Sequence, residues 1–165
     1  MTKLVVVVDM QYDFVMPDGA LYVPGAEKLI VPMIQYLMKE TFAGSQVIYT
    51  MDTHSKDNYH LTEESKEFPL HCNMDTIGWQ NVLPIPGDAY IWVKNVFDPW
   101  ADNGRFVEQE FYDYDVDIIG VAADYCVKYA YEGFKDRGFP NVRVIPELTV
   151  GIKENPYALG TNRKI

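Results

Sequence analysis

The sequence predicts an α/β fold: a three-layer α/β/α sandwich around a central, mainly parallel sheet of five or six strands. Two observations predict it. Several short apolar runs, largely β-branched, show no in–out alternation, which marks strands buried on both faces of a parallel sheet. Amphipathic helical stretches lie between them, and parallel neighbours need such crossover connections. The 165 residues, 48% of them hydrophobic, suit one domain spanning 1–165.

The first strand is Leu4-Val5-Val6-Val7-Val8, which stops at Asp9. A helix from Ala26 to Lys39 follows, with Leu29, Ile30, Met33, Ile34, Leu37 and Met38 on one stripe and Pro32 near its start. Gln46-Val47-Ile48-Tyr49-Thr50 is the second strand. The stretch from Asp52 to Pro86 then breaks the alternation, being long, polar and without persistent periodicity. Long loops in compact domains are usually functional. Ala89-Tyr90-Ile91-Trp92-Val93 is the third strand, and Arg105 to Tyr112 a short amphipathic helix. The fourth strand, Val116-Asp117-Ile118-Ile119-Gly120, leads to a helix from Tyr125 to Arg137 that buries Val127, Ala130, Tyr131 and Phe134. Gly138 is its C-cap. Val142-Arg143-Val144-Ile145 is the fifth strand.

Charge and composition exclude several roles. With 14 basic against 24 acidic side chains, the net charge is −10, which repels phosphate backbones and anionic lipid. Neither nucleic acid nor a membrane is therefore an expected partner. The run Leu4–Val8 is far shorter than the about 20 apolar residues of a spanning helix, and shorter than a signal-peptide core. Two cysteines make no disulfide framework and point to a reducing compartment, so a cytoplasmic location is expected.

In open α/β sheets, ligands bind beyond the carboxyl ends of the strands. Asp9 follows the first strand, Asp52-Thr53-His54 the second, and Lys94 ends the third. The fourth leads through Gly120-Val121-Ala122-Ala123-Asp124-Tyr125 to Cys126 at the start of a helix. Each has an ordinary reading alone: a turn residue, a solvated lysine, a small buried cysteine. A thiol in a helix's first turn, however, feels the positive dipole end and free N–H groups, which lower its pKa toward thiolate. A nearby lysine would lower it further, and an aspartate within reach could take its proton. Cys72 has no such setting and reads as structural.

The three histidines, His54, His60 and His71, cluster within residues 54–71. Asp52, His54 and His60 follow the spacing D-x-H-x5-H, and His71 lies in Phe68-Pro69-Leu70-His71-Cys72. Mixed imidazole and carboxylate ligands suit Zn²⁺, Fe²⁺ or Mn²⁺.

Four segments together resemble a known family: Val7-Val8-Asp9-Met10-Gln11-Tyr12-Asp13-Phe14, Asp52-Thr53-His54 with His60, Phe68-Pro69-Leu70-His71-Cys72, and Gly120-Val121-Ala122-Ala123-Asp124-Tyr125-Cys126-Val127. They are similar to the isochorismatase-like cysteine hydrolases, and within them to the nicotinamidases, from Val5 to about Ile145. The resemblance implies a catalytic triad of Asp9, Lys94 and Cys126, in which the cysteine attacks a carboxamide carbon and the aspartate accepts its proton. Ammonia leaves, and water hydrolyses the thioester to the acid. It also implies an oxyanion site at the N–H groups of Ala122 and Cys126, with a cis Val121–Ala122 peptide.

The metal ligands implied are Asp52, His54 and His71, with His60 at a position that ligates in some members. Zinc is the expected ion, iron or manganese the alternatives, and it would meet the pyridine nitrogen of nicotinamide. Phe14 and Phe68 match positions whose rings flank the substrate, and Phe68 stands where many members have tryptophan. A small-molecule amide substrate and a homo-oligomer are the partners implied. The other readings are a related hydrolase acting on a ureido or maleamate-type amide, and a non-catalytic metal-binding module.

The sequence departs from the family pattern in places. Asn95-Val96-Phe97-Asp98-Pro99-Trp100 replaces an aromatic-Ser-x-Phe segment, and Pro146-Glu147 the usual Asp-Ala. The tail, with Asn155-Pro156 and Gly160-Thr161-Asn162, shows little sign of a closing helix and strand.

Overall fold

The valine run near the amino end is buried on both sides. In the computed structural model, which describes residues 2–158, Leu4, Val6 and Val8 pack into one apolar cluster and Val5 and Val7 into another. This strand, β1 (Lys3–Val8), is the centre of a five-stranded parallel sheet with β2 (Gln46–Asp52), β3 (Tyr90–Lys94), β4 (Asp115–Val121) and β5 (Val142–Val150), in the order β3-β2-β1-β4-β5. Helices cover both faces. The short α1 (Tyr12–Val15) and α2 (Ile30–Phe42) pack Phe14, Val15, Met33 and Leu37 on one. On the other, α3 (Arg105–Phe111) and α4 (Cys126–Asp136) pack Val107, Phe111, Val127, Ala130 and Phe134. Each of these side chains but the small Ala130 contributes about 1.5–3 kcal/mol when fully buried.

Several boundaries differ from expectation for identifiable reasons. Ala26–Leu29 forms a 3-10 turn and the α-helix begins at Ile30. Pro32 thus falls in the first turn, where its missing N–H has no helical acceptor to lose. The fifth strand does not stop at Ile145 but runs through Pro146-Glu147 to Val150. Its pairing with β4 jumps from Ile118↔Val144 to Gly120↔Thr149, so the proline sits in an irregularity of an edge strand, where no ladder N–H is required. The expectation for the tail at Gly160-Thr161-Asn162 lies outside the described residues.

The chain steps from β1 outward to β2 and β3, then crosses back to place β4 on the other side of β1. That reversal makes the carboxyl ends of β1 and β4 a switch point, where open α/β sheets bind ligands. Gly120, at φ 119°, lies against the backbone of Val8 there, and a Cβ would run into it. The polar stretch 52–86 folds around 3-10 turns at Tyr59–Leu61, Glu64–Lys66 and Ile77–Trp79. It is tied to the end of β1 by hydrogen bonds from the N–H of Tyr12 to Gln80 and from the N–H of Val82 to Met10. Among the described residues, no helix is long and apolar enough to cross a membrane.

Candidate active site

The chain leaves β1 at Asp9, whose φ of 49° turns it out of the sheet. The Asp9 N–H donates to Thr50 Oγ1 at 3.0 Å, and the Thr50 hydroxyl donates back to Asp9 Oδ1 at 2.6 Å. This reciprocal pair fixes the carboxylate and leaves Oδ2 facing Lys94, whose Nζ is 2.8 Å away. Lys94 ends β3, and its ammonium also lies 3.3 Å from Cys126 Sγ and 3.5 Å from Asp52 Oδ1. Cys126 is the first residue of α4, which follows β4 after a short turn containing a cis Val121–Ala122 peptide. The N–H groups of Ala122 and Cys126 belong to this turn and to the helix's first residue. Asp9 after β1, Lys94 at the end of β3 and Cys126 at the start of α4 meet in a buried site, at 0%, 3% and 4% exposure.

Burial changes the expected acid–base state. It pushes the Cys126 thiol well up, against the opposing pull of Lys94. The expectation of a thiol lowered toward thiolate is thus corrected: desolvation of the charged sulfur, with Asp9 and Asp52 nearby, outweighs the ammonium. Burial likewise raises Asp9, with Lys94 opposing. Burial would depress Lys94, but Asp52 and Asp9 overturn that and hold it firmly charged.

Beside this trio lies a second cluster. One ligand atom each from Asp52, His54, Glu64 and His71 lies within 4.8 Å of the others, and all four residues are buried. Asp52 Oδ2 is 3.1 Å from Nε2 of both histidines, and Glu64 Oε2 is 3.3 Å from the same two nitrogens. The donors fit a divalent cation: two imidazole nitrogens and two carboxylates converge, and Glu64 Oε1 is buried without a hydrogen-bond partner. Desolvation opposes charge on His71, yet Asp52 and Glu64 raise its pKa to about 10. His54 is raised by the same two partners against the same opposition. Asp52 bridges the two clusters, Oδ1 toward Lys94 and Oδ2 toward the imidazoles.

His60 does not join this group. It is exposed on the Tyr59–Leu61 turn, and the fourth donor is Glu64. The turn points its neighbour Tyr59 inward instead, with its hydroxyl donating to the Phe68 carbonyl and its ring edge-on to His54 and His71. In the sequence Glu64 is one acid of Glu63-Glu64-Ser65-Lys66-Glu67, a run that reads as a solvated face; only its place between His54 and His71 marks it. Phe14 is buried, its ring 5.3 Å from that of His71. Phe68 is half-buried and packs edge-on against Phe97 and Tyr125, two further rings beside the thiol segment.

A family model described as the isochorismatase domain matches residues 3–163. The nicotinamidase of Saccharomyces cerevisiae is 26% identical, the match covering 95% of this chain and 92% of that protein. The nicotinamidase/pyrazinamidase of Mycobacterium tuberculosis is 27% identical, over 91% of this chain and 87% of its own length. The crystal structure of the Pyrococcus horikoshii pyrazinamidase in complex with zinc superposes with a TM-score of 0.82 at 30% identity, covering 91% of this chain and 87% of that one.

Proposed function

The chain belongs to the isochorismatase family and is a hydrolase of amide C–N bonds, and on that premise we propose that it deamidates nicotinamide to nicotinate and ammonia through a Cys126 thioester. One observation carries the reading: the Asp9–Lys94–Cys126 trio and the four-donor cluster are joined in one buried site through Asp52. A non-catalytic module has no use for the trio.

In this reading Asp9 Oδ2 takes the thiol proton as Sγ attacks the carboxamide carbon, and Lys94 holds sulfur and carboxylate in place. The oxyanion forms against the N–H groups of Ala122 and Cys126; one such donor is typically worth about 2.7–4 kcal/mol of barrier. Collapse breaks the C–N bond, with Asp9 returning the proton to the departing ammonia. Asp9 then removes a proton from water as it adds to the thioester, and nicotinate leaves with the thiol restored. Asp52, His54, Glu64 and His71 would hold a divalent ion, and likeness to the zinc-bound pyrazinamidase favours zinc. When bound, the ion supplies a Lewis-acidic contact for a ring nitrogen. Phe14 and Phe68 provide aromatic walls for the ring.

The test is ammonia release from nicotinamide by zinc-loaded protein. Wild type is expected to turn over and Cys126→Ala to release none. Release from a ureido or maleamate-type amide but not from nicotinamide would overturn the substrate assignment. No release from any small amide would overturn the chemistry.

A further inference from the structure

Within Asp9-Met10-Gln11-Tyr12-Asp13-Phe14, Asp9 faces the Lys94 ammonium and Phe14 the His71 ring, while Gln11 and Asp13 are still without a role. Gln11 is fully buried. Its Nε2 donates to the carbonyls of Asp52 and Trp79, each at 2.8 Å, and its Oε1 accepts the Asp52 N–H at 2.8 Å. The reason lies in the sheet: backbone pairing of β1 with β2 ends at Val8↔Thr50, because the chain turns away at Asp9. Asp52 would otherwise lose its partner on that side. The Gln11 side-chain amide stands in for the missing strand, gripping both backbone groups of the residue that bridges the two clusters.

Asp13 performs a matching task on the other ligand segment. Its Oδ2 accepts the Cys72 N–H at 2.8 Å and its Oδ1 the Ala20 N–H at 3.0 Å. Cys72 holds a left-handed φ of 48°, turning the chain immediately after His71, and its carbonyl accepts the His54 N–H at 3.0 Å. Such backbone is strained and persists where surrounding bonds over-determine it. Gly78 makes room for the carboxylate, since a Cβ there would collide with it.

We propose that Gln11 and Asp13 are positioning residues of the metal centre, fixing the backbone at Asp52 and at His71–Cys72 so that the four donors converge before an ion arrives. The proposal rests on the reading of Asp52, His54, Glu64 and His71 as that centre. The two residues, two positions apart in one motif, both act through main-chain groups, Gln11 at Asp52 and Asp13 at Cys72, rather than through the donor atoms themselves.

The test uses Gln11→Glu and Asp13→Asn, with zinc affinity measured by chelator competition and Cys126 alkylation by iodoacetamide on the same preparations. Gln11→Glu keeps the acceptor for the Asp52 N–H but turns a carboxylate toward two carbonyl oxygens. Asp13→Asn is nearly isosteric and sets an NH₂ against one backbone N–H. Each is expected to weaken zinc about 10–100-fold, as outer-shell changes do, while Asp13→Asn leaves the alkylation rate within about threefold. Excess zinc is expected to restore ammonia release. A folded variant that binds zinc within about twofold of wild type overturns the proposal, given outer-shell effects of tenfold or more. Equal losses of zinc affinity and Cys126 reactivity in Asp13→Asn overturn it too, because they show general loosening. If Gln11→Glu does not fold, Asp13→Asn carries the decision. Wild type that binds no zinc overturns the metal reading itself, and this inference with it, before any variant is made.

Discussion

Replacing Lys94 with methionine removes the only ammonium in the trio while keeping an apolar stem of similar length. In the native site that ammonium lies 2.8 Å from Asp9 Oδ2, 3.3 Å from Cys126 Sγ and 3.5 Å from Asp52 Oδ1. Removing one partner of a buried pair costs about 3–5 kcal/mol when the other stays charged. Asp9 has a way out: burial already raises its pKa, and Lys94 is the foremost opposing influence, so without it the carboxyl takes up a proton. The stability loss then falls toward the lower figure, about 3 kcal/mol, or roughly 6–12 °C in Tm for a domain of this size. A protonated Asp9 cannot accept the thiol proton, and losing a general base costs about 10²–10⁴ in rate. The variant is therefore expected to melt as a folded protein, lose ammonia release by at least about 10²-fold, and alkylate more slowly at Cys126. Ammonia assay, thermal melts and iodoacetamide kinetics check the three parts. A folded Lys94→Met variant that keeps ammonia release within about tenfold of wild type would refute the reasoning.

Gly120→Ala is expected to destabilise by about 2–5 kcal/mol, because its φ of 119° disfavours any side chain and the new Cβ meets the Val8 backbone; denaturant melts measure it. Asp117 is buried at the far end of β4, where burial is outweighed by Arg143, Tyr36 and Lys3, which hold its carboxyl below the usual value. With the folded pKa depressed, this stabilisation is present above the unfolded value near about 4 and is lost as pH falls through the folded one. The gap in Tm between wild type and Asp117→Asn should accordingly close on acidification, and a gap that stays constant down to acid unfolding would contradict it. Zinc uptake near neutral pH should release protons from His54 and His71, whose pKa values are raised, His71 to about 10; an indicator dye in weak buffer reads the release.

The sheet was legible because a buried parallel strand has a plain signature: the runs at Leu4–Val8 and Val116–Gly120 are short, rich in β-branched residues and closed by turn signals. The trio's residues were legible from their positions after strands, since topology fixes which ends face one another. What escaped depends on contacts that local pattern does not carry. His60 and Glu64 are four positions apart, and a 3-10 turn at Tyr59–Leu61 decides which faces inward. The spacing D-x-H-x5-H favoured the histidine because imidazole is the commoner ligand. The thiol was misjudged for a similar reason: a helix terminus is visible in sequence, whereas the depth of burial is a property of the whole fold. The extension of β5 past Pro146 needed the register jump against β4, which no local rule supplies.

Charge balance links these corrections to the chemistry. Asp9, Asp52 and Glu64 place three carboxylates in a site where none is more than 4% exposed, and Lys94 supplies one positive charge. Uncompensated charge is costly in a low-dielectric interior. The two negative charges left over are neutralised either by protons on both His54 and His71 or by one divalent ion with both imidazoles neutral. A monovalent ion leaves one charge uncompensated. Glu64, whose side chain bears a full charge where His60 would bear none, thus adds one negative charge for a bound cation or the imidazoles' protons to offset. The same balance accounts for the thiol. A resting thiolate would add a fourth negative charge to the site, and burial raises the Cys126 pKa accordingly. In the proposed reaction the proton passes from Sγ to Asp9 as the carbon–sulfur bond forms, so a negative charge leaves the carboxylate and reappears on the oxyanion, where N–H groups meet it. The total never rises, so this buried site favours passing the thiol proton to Asp9 over losing it to solvent.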